Sequence, residues 1–389
     1  MGRMSDIVDT FAEFEPHQKH LNSSRVPRDM LELSAKVVSF LPPEPAQRVT
    51  VRLWSFASNS WVGRALQLLP PQEDDKRLQV DVLGMTFPNP IGQAAGLDKN
   101  ALIRDGVRGV GFGFGEAGTV TPKPQKGNEG TRLFRLPGDR AVINRMGFNN
   151  DGVDVIARRL RERDEKRGIL GVNIGANKVT DDRIADYVTC FRELASLAEY
   201  VTINVSSPNT PGLRGLQNRS ELEHLLEELQ TERSRQKSKI PFLLKIAPDL
   251  DPHSLKEIAA VTLNKKIEGL IISNTTITRP NLTAPARGEV GGLSGRPLFA
   301  LSTQILREMY RLVGNKTVLI GVGGIASGAD AYEKIRAGAS LVQLYTALIY
   351  EGPNLVKRIK RELLQCLERD GFANVSEAVG ADLRGTGAV

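Results

Sequence analysis

An α/β fold, a TIM (β/α)8 barrel with an N-terminal two-helix lid, is predicted by three observations. Short β-rich runs alternate with amphipathic helical runs from about Asn89 onward, the pattern of a parallel sheet built from βα units. Eight such runs occur, which is the number that closes a barrel. A barrel uses roughly 250 residues, so a chain of 389 residues has room for one extension.

Residues 1–27 are polar and mixed in charge, with Asn22-Ser23-Ser24 and Pro27, and read as an arm with little to bury. Residues 28–70 read as a lid of two helices, Pro27–Pro43 and Glu44–Leu69, broken at Leu41-Pro42-Pro43-Glu44-Pro45. Both tryptophans, Trp54 and Trp61, fall there beside Phe56, Leu68, Arg48, Arg52 and Arg64. Such a helix can lie in a membrane interface or pack on the barrel, and the pattern alone leaves both readings open. Residues 71–389 form the barrel domain. Its strands are predicted at Pro90–Ala94, Val110–Val120, Gly171–Gly175, Tyr200–Val205, Phe242–Ile246, Gly269–Ser273, Val318–Val322 and Leu341–Tyr345. The segments Asp151–Arg167, Asp182–Ala198, Ser220–Lys237, Ser254–Lys265, Ser302–Val313, Ala329–Ala337 and Asn354–Arg369 have helical periodicity and polar faces, as outer-ring helices should.

Composition narrows the function classes. Charged residues are 25% and hydrophobic residues 40%, which fits neither a disordered chain nor a membrane-spanning one. No run approaches the roughly 20 apolar residues of a spanning helix, and the first thirty residues lack a signal-peptide core. The net charge of +7 is modest and no basic block interleaves with aromatics, which argues against nucleic acid. Only Cys190 and Cys366 are present, so neither a disulfide scaffold nor a cysteine-bound cluster is expected. None of the four histidines, His17, His20, His224 and His253, falls at a strand end, so no metal site is expected.

In barrel enzymes the chemistry sits at the C-terminal strand ends, with phosphate held after strands seven and eight. Strand seven ends in Gly321-Val322-Gly323-Gly324, which lets backbone N–H groups approach a phosphate, and strand eight ends in Tyr345-Thr346. Gly113, Gly115 and Gly118 match G-x-G-x-x-G but lie within a strand, so they read as close packing and not as a dinucleotide site. Lys245 interrupts the apolar run Phe242–Pro248 and must point inward near the top of the barrel. It suits either a fixed positive charge beside an isoalloxazine ring or a Schiff-base nucleophile of the aldolase type. Asn144, Asn173, Asn204, Asn209 and Asn274 recur at strand ends, where neutral amides suit a heterocycle with amide-like edges. The stretch Asn204–Arg214 is rich in hydroxyls, Pro and Gly and reads as a lid loop. Ser207 within it would need a relay through Thr210 or water to act as a base.

At these residues the sequence resembles the class 2, quinone-linked dihydroorotate dehydrogenases. The likeness runs from about Leu31 to Leu383. It is carried by AAGLDK (Ala94–Lys99), GTVTPKPQ (Gly118–Gln125), FRLP (Phe134–Pro137), NRMGFNN (Asn144–Asn150), GVNIGANK (Gly171–Lys178), NVSSPNTPGLR (Asn204–Arg214), LKIAPDL (Leu244–Leu250), SNTT (Ser273–Thr276), GGLSGRPL (Gly291–Leu298), GVGGI and LVQLYTAL. The resemblance implies oxidation of dihydroorotate to orotate on FMN, with a membrane quinone as final acceptor. It makes Ser207 the catalytic base. Lys99, Asn144, Arg145, Met146, Gly147, Phe148, Asn204, Asn209, Asn274 and Thr275 would hold substrate. Ala95, Gly96, Lys99, Thr119, Asn173, Asn204, Lys245, Ser273, Gly295, Gly324, Tyr345 and Thr346 would surround FMN. Arg135 and Tyr345 match polar positions of the quinone tunnel, while Gln47 and Val38 depart from the histidine and glutamine that some members carry in the lid. A monomer is expected, peripheral on the cytoplasmic face of the bacterial plasma membrane, or in the alternative a truncated form of the mitochondrial inner membrane.

Overall fold

The computed structural model describes residues 41–60, 73–163 and 168–384. Helix α1 (Pro43–Asn59) and a hairpin of β1 (Val80–Val82) and β2 (Met85–Phe87) come first. β3 (Ile91–Gln93), the one-turn helix α2 (Val107–Val110) and β4 (Phe114–Val120) begin the barrel. A second hairpin, β5 (Leu133–Leu136) and β6 (Ala141–Asn144), precedes α3 (Val153–Arg161) and β7 (Ile169–Ile174). Three regular units follow: α4 (Arg183–Leu194) with β8 (Val201–Asn204), α5 (Arg219–Arg235) with β9 (Phe242–Ile246), and α6 (Pro252–Asn264) with β10 (Gly269–Ile272). β11 (Gly292–Gly295) leads into α7 (Phe299–Val313) and β12 (Val318–Val322). The series ends with α8 (Gly328–Arg336), β13 (Leu341–Leu344), α9 (Thr346–Glu351) and α10 (Leu355–Asp370).

Eight of these strands close a parallel barrel in the order β3, β4, β7, β8, β9, β10, β12, β13. All eight correspond to runs expected from the sequence. Buried on both faces, they read as nearly continuous apolar segments, as in Phe242–Ile246 where every residue is buried. The outer helices bury one stripe each. In α5 the stripe is Leu222, Leu225, Leu226 and Leu229, spaced i, i+3, i+4, i+7, and each such leucine contributes about 1.5–3 kcal/mol. Side-chain caps start several of them: Asp182 accepts from Ala185 N, Asp251 from His253 N and Ser254 N, and Ser327 from Asp330 N. The second barrel strand begins at Phe114 and not at Val110. Val107–Val110 form a helical turn that Gly111 ends at φ 106°, a conformation favouring glycine.

A feature the sequence reading did not anticipate is a three-stranded antiparallel sheet, β5-β6-β11, built from insertions after β4 and β10. Leu136, Ala141, Ile143 and Leu293 give it a small core with Leu282 and Ala284. It supplies Leu133, Val142, Asn144, Ser294 and Gly295 to the wall of the cavity described below.

Of the two-helix lid, only α1 lies within the described residues. The helix expected at Pro27–Pro43 falls almost wholly outside them, as do Val38, Trp61, Arg64 and Leu68. Helix α1 turns Ala46, Val51, Trp54 and Ala57 inward, with Trp54 only 7% exposed. Trp54 is therefore a packing residue. The opposite face presents Val49, Leu53 and Phe56 at i, i+4, i+7, with the exposed Arg48 and Arg52 along one side of the stripe. No described helix is long and apolar enough to cross a membrane.

Candidate active site

A cavity of about 690 Å³ is lined by the C-terminal ends of the barrel strands, the three-stranded sheet and α1. That volume suits a ligand of cofactor size. Register places its polar groups: Lys245 on β9 lies opposite Asn204 on β8 and Ile271 on β10, one residue before the strand ends.

Lys245 is 6% exposed. Burial pulls its ammonium below the ordinary lysine range, and the negative charge of Glu116 opposes that shift. Glu116, fully buried on β4, was missed by the sequence reading. Its carboxylate accepts from Asn173 Nδ2 (2.8 Å), Gln343 Nε2 (2.9 Å), Thr202 Oγ1 (3.1 Å) and Tyr200 OH (3.3 Å). The signal was the same one that drew attention to Lys245, a charge inside a buried strand run.

Above Glu116 the amides form two bonded groups, Asn173 with Asn204 and Asn274, and Asn209 with Asn144. Asn173 Oδ1 accepts from Thr119 Oγ1 (2.6 Å) and Asn204 Nδ2 (3.2 Å), and Asn204 Nδ2 also reaches Thr119 Oγ1 (2.9 Å). Asn274 Nδ2 donates to Asn204 Oδ1 (3.2 Å) and Ser206 Oγ (3.0 Å), and Asn209 Nδ2 to Asn144 Oδ1 (3.2 Å). These bonds hold each amide plane in place, so the remaining edges point in defined directions. Asn144 arrives from β6 of the overlying sheet and not from a barrel strand.

Ser207 follows β8 and is 6% exposed; its Oγ accepts from Asn209 N at 3.3 Å. Thr210 Oγ1 is buried and has no hydrogen-bond partner. Its loop is tied down by Arg214, which donates to Ser206 O (3.1 Å) and Thr275 O (3.0 Å) and pairs with Asp249 (2.9 Å). That clamp joins the loops after β8, β9 and β10, and neither Arg214 nor Asp249 was singled out from the sequence.

Lys99 sits in the loop after β3, which Asp98 organises by accepting from Leu102 N and Ile103 N at 2.8 Å each. Burial lowers the Lys99 ammonium to about 8, with Glu44 of α1 acting in the raising direction and Arg132 in the lowering one. Glu44 itself forms a two-pronged pair with Arg132, at 2.5 and 3.0 Å. Gln47 Nε2 donates to Gly96 O (2.8 Å) and Leu97 O (3.2 Å), which fixes α1 over this loop.

Beyond β12 and β13 the wall is glycine-rich. Gly323 (φ 112°) and Gly324 (φ 79°) adopt backbone conformations that favour glycine, and a Cβ on Gly324 would lie 2.5 Å from Phe299 Cβ. Thr346 Oγ1 donates to Ser294 Oγ at 2.8 Å. Gln343 also lines the cavity, and its Oε1 is buried without a partner.

Most residues singled out from the sequence line this one cavity: Ala95, Gly96, Lys99, Thr119, Asn144, Met146, Gly147, Phe148, Asn204, Ser207, Asn209, Lys245, Ser273, Asn274, Thr275, Gly295, Gly324, Tyr345 and Thr346. Three stand apart. Asn173 is fully buried one layer below, bonded to Thr119 and Glu116. Arg145 corrects the expectation of substrate contact by its side chain: the guanidinium turns outward to Glu289 (2.7 Å) and Thr131 O (2.9 Å) and stacks on Phe134 (4.6 Å). Arg135 donates to Leu41 O at 3.0 Å, and its charge acts on Tyr345, whose phenol burial pushes upward. Among the described residues, no group of three or more His, Cys, Asp or Glu could hold a metal ion.

Comparison with known proteins places this architecture. The profile of the family "Dihydroorotate dehydrogenase" matches residues 77–367. The chain is 51% identical over 358 residues to a dihydroorotate dehydrogenase (quinone) of Parvibaculum lavamentivorans, covering 91% of this chain and 99% of that one. It is 49% identical to the mitochondrial dihydroorotate dehydrogenase (quinone) of Oryza sativa subsp. japonica, covering 91% of this chain and 80% of the relative. The crystal structure of DHODH in complex with ferulenol from Eimeria tenella superposes with a TM-score of 0.82 at 41% identity, over 89% of this chain and 96% of that one. The chain belongs to the dihydroorotate dehydrogenase family, on its quinone-linked branch.

Proposed function

We propose that this enzyme oxidises (S)-dihydroorotate to orotate on a bound FMN and returns the electrons to a membrane quinone, a step of pyrimidine biosynthesis. The observation that carries the reading is the convergence, in one cavity, of a buried lysine, a fixed layer of amides, a hydroxyl on a tied-down loop and a glycine-lined end. The residues present fit FMN. Gly295, Gly323 and Gly324 line the cavity, where their backbone N–H groups suit a phosphate, and the unpartnered Gln343 Oε1 offers an acceptor to a ring N–H. Bound FMN would supply hydride acceptance, the chemistry no side chain here can provide.

The chain's own residues divide the remaining work. Lys245 keeps positive charge at the barrel mouth, sustained by Glu116 beneath it. Asn144, Asn209, Asn274 and Thr275 orient a planar ring by its amide edges, and the Lys99 ammonium attracts its carboxylate. Ser207 takes the ring proton. A serine hydroxyl is weakly acidic, so that proton must move on, and the buried, unpartnered Thr210 Oγ1 is the acceptor and donor available for a water relay. Helix α1 closes the cavity on the Lys99 side. Its outward Val49, Leu53 and Phe56, with Arg48 and Arg52 along one side, suit an anionic membrane surface, and Arg135 and Tyr345 would meet the quinone beneath it. The protein would then be a peripheral monomer at the bacterial plasma membrane or the mitochondrial inner membrane. Incubation with dihydroorotate and a soluble quinone, with orotate followed by its ultraviolet absorbance, tests the reading. Orotate should accumulate in proportion to enzyme; none forming from a protein that carries its flavin would refute it.

A further inference from the structure

A second lysine, Lys334, is fully buried in a place the catalytic account does not use. It sits on α8, runs along β12 at Gly321, and donates to Ser302 Oγ and Thr303 Oγ1 at 2.9 Å each. Its ammonium lies 4.9 Å from the centre of the Phe299 ring. These contacts lead to the glycine turn after β12. The Ser302 hydroxyl divides its one proton between Phe299 O (3.1 Å) and Gly323 O (3.3 Å), and Gly324 packs on Phe299 so closely that no Cβ would fit. No carboxylate of the described residues forms an ion pair with Lys334. A buried ammonium without a counter-anion is costly, and two neutral hydroxyls offset only part of its lost hydration.

We propose that Lys334 is the buried counter-cation of the phosphate end of the site, holding the Gly323–Gly324 turn through Ser302 and Phe299 and favouring a phosphorylated flavin over its dephosphorylated form. This rests on the FMN reading above. Lys334 is a positioning and specificity residue, since it acts through the turn. The charged groups around it are few. Asp330 and Glu333 lie on its own helix and Arg307 on α7, while β12 and β13 bring no ionisable side chain. On α10, Arg358 and Glu362 are engaged with each other and with the 326–328 backbone, and Asp382 is taken by Arg336. Burial lowers the Lys334 ammonium to about 7, Glu333 and Asp330 opposing and Arg307 reinforcing. A bound phosphate dianion must raise it again. Binding FMN above pH 7 therefore takes up a proton, and FMN affinity falls as pH rises.

The test compares FMN with riboflavin, which lacks the phosphate. Full-length protein freed of its flavin is reloaded with FMN or with riboflavin, and each dissociation constant is read from flavin fluorescence on dilution. Lys334→Met should weaken FMN about tenfold, a loss expected of a partly desolvated charge, and leave riboflavin unchanged. Equal weakening of both flavins, or of neither, would overturn the proposal. The wild-type protein gives a second readout: the FMN-to-riboflavin affinity ratio should drop between pH 7 and pH 9, because the phosphate, with a second pKa of about 6, is already mostly dianion there and Lys99 and Lys245 act on both flavins alike. A flat ratio would also overturn it. Wild-type protein that binds neither flavin would instead refute the FMN reading itself.

Discussion

Ser207→Ala separates chemistry from structure more cleanly than any other single change. The Ser207 Oγ accepts one hydrogen bond, from Asn209 N, at a long 3.3 Å. Losing it costs less than about 1 kcal/mol, which in a chain of this size lowers Tm by about 2 °C or less. The proton transfer it serves is worth far more, about 10²- to 10⁴-fold in rate. Anaerobic stopped-flow mixing with dihydroorotate should therefore show the flavin band bleaching at least a hundredfold more slowly, while the resting spectrum and the melting curve hardly change. Ser207→Cys adds a pH signature. A thiol near its ordinary pKa of about 8.5 becomes a competent base as pH rises, so the bleaching rate should climb through that range. Bleaching within a few-fold of wild type in Ser207→Ala would remove Ser207 from the mechanism, and a flat pH profile in the cysteine variant would deny it the role of base.

Three other perturbations address the surrounding groups. The Lys99 ammonium, lowered to about 8, attracts substrate below that pH and is lost above it, so KM for dihydroorotate should rise as pH passes through 8; Glu44→Gln removes the charge that holds it up, and the rise should begin at lower pH. Glu116→Leu leaves four buried donors without their acceptor and removes the negative charge that favours the Lys245 ammonium, and denaturant unfolding should show a loss of about 3–5 kcal/mol; a loss under 1 kcal/mol would mean the two charges do not depend on each other. Deleting residues through Leu69 removes α1 and should slow reoxidation by a membrane quinone more than reduction by dihydroorotate; equal loss in both half-reactions would make the helix merely structural.

The barrel was legible because parallel strands buried on both faces must be apolar runs, and helices between them must be amphipathic. The overlying sheet was not. β5, β6 and β11 show no alternation of buried and exposed positions, β11 begins and ends in glycine, and no amphipathic helix separates β5 from β6, so the βα pattern that marked the barrel strands does not mark them. Asn144 consequently looked like a barrel residue although it reaches the cavity from above. The charged residues show where motif reading misleads. Lys245 stood out against its apolar neighbours, yet Glu116 on the facing strand was absorbed into a glycine pattern. Arg145 looked functional because it lies in the NRMGFNN stretch that carries the resemblance, but its guanidinium pairs with Glu289 and stacks on Phe134 while Asn144 and Met146 line the cavity. Trp54 shows the same limit on a helix: periodicity identifies the two faces, and only packing reveals which of them meets the barrel.

The central claim is that one cavity passes electrons from dihydroorotate to a quinone through FMN. Anaerobic titration of the purified wild-type protein measures both halves in a single cuvette. One equivalent of dihydroorotate should bleach the visible flavin band, and one equivalent of a soluble quinone should then restore it in full. A flavin band that dihydroorotate leaves unchanged, or that a quinone cannot restore once bleached, would contradict the account.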